Sequence, residues 1–411
     1  MTINEDRLRS HFDALTRAGA TNDGGLNRPT FSDDHLEARR CFRALIDEAG
    51  FEGRVDGAGN HSAFLACGVP GARTLLFGSH LDSVPHGGRF DGTLGVAVAF
   101  EALQTIRDAA VPLALNLEVI DFTDEEGSWV SLLGSRAAAG LLRPHDLVNP
   151  RGRGDAFHEA RAHAGLTTEG ILAAARPPES LAGYLELHIE QGTRLESSQT
   201  NIGVVTGMVG IWAYHVTFHG RADHAGTTSM HDRLDAAQGA ATFTLAARRV
   251  AMAHFPACVA NVGKMVFAPG AFNIVPEAVT VHLELRGQEK AMVERLEAAL
   301  SDEATRAAEQ FGLTVDFQFL EAIYPTPMDE QMQRALEDGA EHLGLTHSRL
   351  PSLAGHDAQS MAQVCPAGML FVPSVGGFSH SSREFTAWRD CINGANTLLH
   401  AVLKLAVRAG E

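Results

Sequence analysis

Residues 74–100 read TLLFGSHLDSVPHGGRFDGTLGVAVAF. The stretch passes from a short apolar run, Thr74–Phe77, through a polar, glycine-rich loop into small apolar residues that continue to Ala109. A short apolar run closed by turn residues reads as a buried strand, and the longer run from Gly95 to Ala109 as an apolar helix. Strand, polar loop and helix in that order form a unit whose loop lies at the carboxyl end of the strand. In open α/β sheets that is where ligands collect.

Outward from this unit the alternation persists. A helical pattern covers His35 to Ala49, further strand candidates lie at Leu115–Phe122, Gly183–Ile189 and Met369–Val372, and a last helix is expected over Cys391–Arg408. Such alternation implies a mainly parallel, helix-covered sheet. From about Gly210 the order changes: a strand at Ile211–Phe218, a helix at Arg233–His254, strands at Val259–Val266 and Val279–Arg286, a helix at Met292–Phe311 and a strand at Leu313–Phe319. The order β-α-β-β-α-β is that of a ferredoxin-like α+β sandwich. The expected fold is therefore an α/β catalytic domain built from residues 1–209 and 325–411, interrupted by an inserted α+β domain at 210–324.

The size of the chain agrees, since 411 residues exceed what one hydrophobic core usually serves. With 33 basic against 50 acidic residues the formal net charge is -17, which makes nucleic acid a poor partner. No window reaches the roughly 18 uninterrupted apolar residues of a membrane span, and MTINEDRLRSHFDAL has neither the basic start nor the apolar core of a signal peptide. The five cysteines are scattered and without CxxC spacing, so they read as reduced thiols of a cytoplasmic protein.

Four polar clusters follow strand candidates: Gly78-Ser79-His80-Leu81-Asp82, Thr123-Asp124-Glu125-Glu126-Gly127, His188-Ile189-Glu190-Gln191-Gly192 and Phe378-Ser379-His380. A fifth, Phe90-Asp91-Gly92, lies in the glycine-rich loop after the first. Singly, each has an ordinary reading: a strand-end histidine is usually a hydrogen-bonded loop residue, and a Glu-Glu pair before glycine a solvated turn. Five such clusters at the ends of separate elements favour a metal site instead. Imidazole and carboxylate without thiolate suit zinc or another first-row divalent ion such as manganese.

In order along the chain, GSHLDSVPHGGRFDGTLGV, DFTDEEGS, ELHIEQG, TNIGVVTGMVG, HAGTTSM, FNIVPEAVTVHLELR, AGHDAQSMA and GGFSHSS span Gly78 to Ser382. The set resembles the dinuclear-zinc amidohydrolases of the aminoacylase and carboxypeptidase G type. Within them it is most similar to the branch of N-carbamoyl-L-amino acid hydrolases, β-ureidopropionases and allantoate amidohydrolases. The resemblance implies two divalent cations, Zn2+ foremost with Mn2+, Co2+ or Ni2+ as alternatives. Asp91 would bridge them, His80 and His188 would complete one site, and Glu126 and His380 the other. Asp82 would hydrogen-bond the His80 imidazole and fix its orientation. Glu125 would be the general base, free to take a proton because its neighbour Glu126 binds metal.

For the inserted domain the resemblance implies dimerisation and a lid. His224 would stabilise the oxyanion in the partner subunit's active site of a homodimer, and Asn273 and Arg286 would hold the substrate carboxylate, a task that suits a planar guanidinium. The alternation of Val281, Leu283 and Leu285 leaves open which face Arg286 takes. Gln191 and Gly355 are further expected substrate contacts, and His356 and Asp357 would support the loop around them.

Several positions depart from the family pattern. Trp129 and Val130 follow EEGS where Arg-Phe is frequent, Leu353 stands where glycine is common, and Ser229 replaces a frequent proline. Ile211-Trp212-Ala213 lacks the basic residues that allantoate-type members tend to carry. The expected reaction is hydrolysis of an N-carbamoyl-L-amino acid to the free amino acid, carbon dioxide and ammonia. The alternatives are an allantoate or β-ureidopropionate hydrolase and, from another class, a catalytically silent binding protein of the same fold. With all five ligand positions and Glu125 present, nothing in the sequence favours the silent relative.

Overall fold

A computed structural model describes Met1–Val407, apart from the side chain of Glu321; Arg408 of the expected last helix lies outside the described residues. The chain forms two compact units, one of Met1–Thr206 together with the chain from Pro327 onward, the other of Gly207–Thr326. The first segment supplies β1 (Glu52–Val55), β2 (His61–Leu65), β3 (Thr74–His80), β4 (Asn116–Phe122), β5 (Leu181–Ile189) and β6 (Ile202–Met208). Then come β7 (Gly210–His219), β8 (Asp223–His224), β9 (Cys258–Ala268), β10 (Ile274–Val275), β11 (Ala278–Gly287) and β12 (Thr314–Ile323). The returning chain adds β13 (Thr326–Pro327), β14 (His347–Ser352) and β15 (Ala367–Val372).

The large sheet has the order β1-β2-β4-β3-β5-β15-β6-β13, with β14 beside β6. Its centre, β4-β3-β5-β15, is parallel, whereas β1–β2, β2–β4 and β15–β6 pair antiparallel. The connection between β1 and β2 is too short for the crossover that a parallel pair needs. The central strands carry near-continuous apolar runs, as strands buried on both faces must: Leu75–Phe77, Leu117 and Val119, Leu185 and Leu187, and Met369–Val372 are all buried.

The helix Thr93–Asp108 is buried from Thr93 through Ile106, which explains why its sequence is apolar all round and lacks a clean amphipathic period. It approaches the sheet closely at Gly95, where a side-chain Cβ would lie 2.4 Å from the Leu187 carbonyl oxygen and 2.7 Å from Ser79 Cβ. Between β4 and β5 short helices close over a small core of their own, centred on Phe31, Leu133, Leu142, Phe157 and Ile171. No described helix is long and apolar enough to cross a membrane.

The second unit is a four-stranded antiparallel sheet, β12-β7-β11-β9, with the helices Ala236–His254 and Lys290–Gln310 packed on one face. Trp212, Tyr214, Val216 and Phe218 of β7 meet Val279, Val281, Leu283 and Leu285 of β11 in its core. Burial alternates strictly along both strands, so Arg286 stands on the face away from the helices, with Glu284 and His282. A small ribbon of β8 and β10, not foreseen from the sequence, joins this unit.

Gly95→Ala tests how tightly the helix Thr93–Asp108 is seated. The added methyl should destabilise the protein by about 1–3 kcal/mol, read as a lower urea midpoint. An unchanged midpoint would show that the helix moves aside freely.

Candidate metal centre

Four strand ends of the first unit bring the polar clusters together. β3 ends on His80, β4 is followed at once by Thr123 to Glu126, His188 is the penultimate residue of β5, and the chain leaving β15 leads to His380. Asp91 comes from the loop that enters the helix Thr93–Asp108. Two donor sets result, each with its ligand atoms within 4.8 Å of one another: His80, Asp91 and His188, and Asp91, Glu126 and His380.

Asp91 belongs to both sets through different oxygens. Its Oδ1 lies 2.8 Å from His188 Nε2 and 3.4 Å from His80 Nε2. Its Oδ2 lies 3.5 Å from His380 Nε2, and that same nitrogen is 3.5 Å from Glu126 Oε2. Glu125 is buried beside them, with Oε2 3.5 Å from His80 Nε2. The two buried imidazoles are aimed by their other nitrogens: His80 Nδ1 donates to the Asp82 backbone carbonyl at 3.1 Å and His188 Nδ1 to that of Ile189 at 2.8 Å. Both Nε2 atoms therefore face the carboxylates, the arrangement in which an outer hydrogen bond fixes a metal-binding tautomer. Asp124, Gln191 and His380 hold left-handed backbone, φ 58°, 57° and 53°. Such strain in non-glycine residues gathers at functional sites.

The electrostatics call for cations. Burial first, and then Glu126, push Glu125 well above the usual carboxylate range against the pull of His80; burial and then Asp91 do the same to Glu126. Burial also works to raise Asp91, but His188 and His80 draw it well below its ordinary value. Burial works to lower His80 and His188, yet Glu125 and Asp91 respectively hold them above the usual imidazole range. His80 Nε2 is buried without a hydrogen-bond partner. Several buried carboxylates around a few imidazoles are costly to keep ionised unless compensated, and nitrogen and oxygen donors in this arrangement fit divalent cations.

Two of the expected contacts are different. The Asp82 carboxylate stands 3.6 Å from His80 Nδ1, too far for a hydrogen bond; the bond comes from its backbone carbonyl. The carboxylate instead accepts the Glu125 and Glu126 backbone N–H groups at 3.3 and 3.2 Å and the Thr30 hydroxyl at 2.9 Å. Asp82 thus sets the turn that carries both glutamates. Gln191, expected to meet substrate, uses its amide within the site: Nε2 donates to Asp91 Oδ2 at 2.8 Å and to Ser379 Oγ at 3.1 Å.

His356 packs its ring on His188, centroids 4.5 Å apart, and its Nε2 meets Ser352 Oγ at 3.0 Å. Asp357 is buried in the first turn of the short helix Asp357–Met361, and burial followed by Glu186 pushes it well above the carboxylate range. Gly355 lies just before them, beside Gln359. A cavity of about 330 Å3 adjoins Gln191, lined by Leu350, Leu353, Ala354 and Phe371 and by the polar Glu190, Thr193 and Arg194. Two buried acids escaped the sequence reading. Glu186 accepts from Ser79 Oγ and the Ala358 backbone N–H, each at 2.9 Å. Glu384 accepts from the Phe90 and Asp91 backbone N–H groups. The signal for Glu186 was a charged residue inside an otherwise apolar strand.

The remaining expected residues lie in the second unit. His224 is exposed on β8, and its Nδ1 accepts the Gly226 and Thr227 backbone N–H groups at 3.0 and 3.2 Å. A neutral imidazole held this way carries its hydrogen on Nε2, where it can be donated outward. Ile274 stands across the ribbon from His224, and Asn273 beside it accepts the Ala225 N–H with its carbonyl at 3.0 Å. Arg286 Nε contacts Glu284 Oε1 at 2.7 Å.

The shared oxygens lead to a test. Asp91→Asn should weaken divalent-ion binding at both donor sets, whereas Glu126→Gln should weaken one, by about 10- to 100-fold, measured by titrating Zn2+ into chelator-treated protein. Equal damage at both sites from Glu126→Gln would rule out two donor sets joined only through Asp91.

Comparison with known proteins agrees along the whole chain. It is 36% identical over 406 residues to the N-carbamoyl-L-amino acid amidohydrolase of Geobacillus stearothermophilus, covering 98% of this chain and 99% of that protein. It is 30% identical to the allantoate amidohydrolase of Bacillus subtilis (strain 168), covering 98% of each. An amidase of the hydantoinase/carbamoylase family from Burkholderia multivorans matches in structure with a TM-score of 0.89 at 33% identity, covering 100% of this chain and 99% of that one. Residues 76–404 match the model of peptidase family M20/M25/M40, and the chain belongs to that family.

Proposed function

We propose that this chain is a metal-dependent amidohydrolase that cleaves the carbamoyl group from an N-carbamoyl-L-amino acid, giving the L-amino acid, carbon dioxide and ammonia. The observation that carries the reading is Asp91 shared between two donor sets, with the buried Glu125 carboxylate beside them and outside both. Full-length similarity to relatives named as carbamoyl amino acid and allantoate amidohydrolases supports the carbamoyl chemistry.

In this reading His80, Asp91 and His188 hold one divalent ion and Asp91, Glu126 and His380 a second, with Zn2+ the expected metal. Bound there, the ions polarise the attacked carbonyl and lower the pKa of water towards neutrality. Glu125 takes the proton from the attacking water and passes it to the leaving nitrogen. Its neighbour cannot share that task, because Glu126 faces His380. His224 donates from Nε2 to the oxygen that becomes negative. Arg286 and Asn273 hold the substrate carboxylate, for which Arg286 exchanges Glu284 for the ligand. Gln191 and Gly355 meet the substrate once Gln191 gives up an internal bond.

A carbamoyl amino acid with an apolar or unbranched side chain is favoured over allantoate by the segment opposite Arg286. Ile211 and Ala213 pair directly with Arg286 and Glu284 across β7 and β11, so apolar residues stand where a more polar ureido substrate would want cations. The cavity beside Gln191 is lined both by apolar residues, Leu353 among them, and by Glu190, Thr193 and Arg194, so it favours neither substrate. We place the enzyme in the cytoplasm, where its five free cysteines fit a reducing environment, working as a homodimer through the second unit with His224 serving the partner's site.

The deciding experiment is an ammonia-release screen of metal-reconstituted protein over carbamoyl amino acids, allantoate and β-ureidopropionate. The highest kcat/KM should fall on a carbamoyl amino acid; preference for allantoate, or no release from any of them, would overturn the assignment. Glu125→Gln should keep its metal and lose activity by about a hundred- to ten-thousand-fold. Mixed with a His224→Ala chain it should regain part of that activity, and verified heterodimers without recovery would exclude a shared site.

A further inference from the structure

One buried carboxylate touches both halves of the centre without belonging to either donor set. Glu384 follows His380 by four residues and is 5% exposed. Its Oε1 accepts the backbone N–H groups of Phe90 at 2.8 Å and Asp91 at 3.0 Å, and its Oε2 accepts the Ser379 hydroxyl at 2.8 Å. The side chain passes through a gap that exists because residue 88 is glycine: a Cβ at Gly88 would fall 2.0 Å from Glu384 Cδ. The rings of Phe90 and Phe385 meet edge to face at 5.7 Å and tie the same two loops.

Counting hydrogens at Ser379 gives this arrangement a chemical meaning. A hydroxyl has one hydrogen to donate. Ser379 Oγ stands between two acceptors, Glu384 Oε2 at 2.8 Å and Asp91 Oδ2 at 3.2 Å. Asp91 Oδ2 already accepts from Gln191 Nε2 at 2.8 Å. A carboxylate oxygen has two lone-pair sites, so a second hydrogen bond there would fill the position directed at His380.

We propose that Glu384 is a positioning residue of the metal centre. It anchors the backbone of Asp91 between the two donor sets, and by drawing the Ser379 hydrogen to itself it keeps one lone pair of Asp91 Oδ2 open for a cation. The inference rests on the two-cation reading above and assigns Glu384 no contact with substrate.

Glu384→Gln separates the two tasks. Its side-chain carbonyl can still accept from Phe90 and Asp91, so the tether survives. Its amide must donate to Ser379 Oγ, which then turns its own hydrogen onto Asp91 Oδ2. In calorimetric titration of the full-length, chelator-treated protein with Zn2+, this variant should bind one ion normally and the second about 10- to 100-fold more weakly, with little change in the melting temperature of the metal-free protein. Adding Ser379→Ala should restore the second affinity, because no hydroxyl hydrogen remains to fill the oxygen. Gly88→Ala, which expels the whole side chain, should weaken both ions.

Two normal affinities in Glu384→Gln, or a loss that Ser379→Ala does not rescue, would overturn the assignment. Should the Gln variant melt too low to titrate, Glu384→Asp decides, since the shorter side chain cannot reach Ser379 and both backbone N–H groups together; normal binding of both ions would then reject the role. A wild-type protein that takes up fewer than two ions would instead refute the two-cation reading, and that shows in the wild-type titration alone.

Discussion

The rest of the site depends on a surplus of negative charge held away from water. Asp82, Asp91 and Glu125 are buried and Glu126 lies beside them with its side chain nearly covered, while two buried imidazoles and a half-exposed third face this group. Ionised carboxylates in such surroundings repel one another and lose hydration. Glu125 and His80 are both raised, Glu125 by burial and His80 by Glu125 against its own burial, so each tends to hold a proton that a divalent cation would replace. Asp82, Gln191 and Glu384 contribute by directing hydrogens, so that carboxylate oxygens not facing the cations are satisfied and those facing them stay open.

Much of this was legible in the sequence because most residues of the two donor sets sit at or just beyond the ends of strands with unmistakable apolar runs. β3, β4, β5 and β15 are central and buried on both faces, so Leu75–Phe77 or Met369–Val372 could be read without ambiguity, and the polar clusters after β3 and β4 and at the end of β5 stood out against them. The edge strands of the large sheet were not legible. β1 has the sequence EGRV and is mostly exposed, so no burial pattern marks it. β8, β10 and β13 have two residues each, too few to show a period.

The hydrogen-bonding detail was less legible still. The spacing His-x-Asp pointed to a carboxylate–imidazole bond, but the chain turns so that a backbone carbonyl makes it and the carboxylate caps the Glu125–Glu126 turn. Glu384 looked like any loop glutamate; its importance lies in a gap opened by Gly88, nearly three hundred residues earlier, which local sequence cannot reveal. Arg286 is an intermediate case. Alternation along β11 was plain, but only pairing with β7 and β9 and the helices on the other face decide which side it occupies.

The parallel pairing of β5 with β15 joins residues 181–189 to residues 367–372, with the whole second unit encoded between them. A ribosome delivers chain from the amino end, so His80, Asp91 and His188 emerge early while the open edge of β5 waits for its neighbour. His380, Ser379 and Glu384 come later still. The donors of the first set are thus all made before His380 completes the second, yet Asp91 gains its Glu384 anchor only with that last stretch of chain. A chain cut short before Ser379 would keep the donors of the first set but lose His380, the Glu384 anchor of Asp91 and the last helix that shares their core.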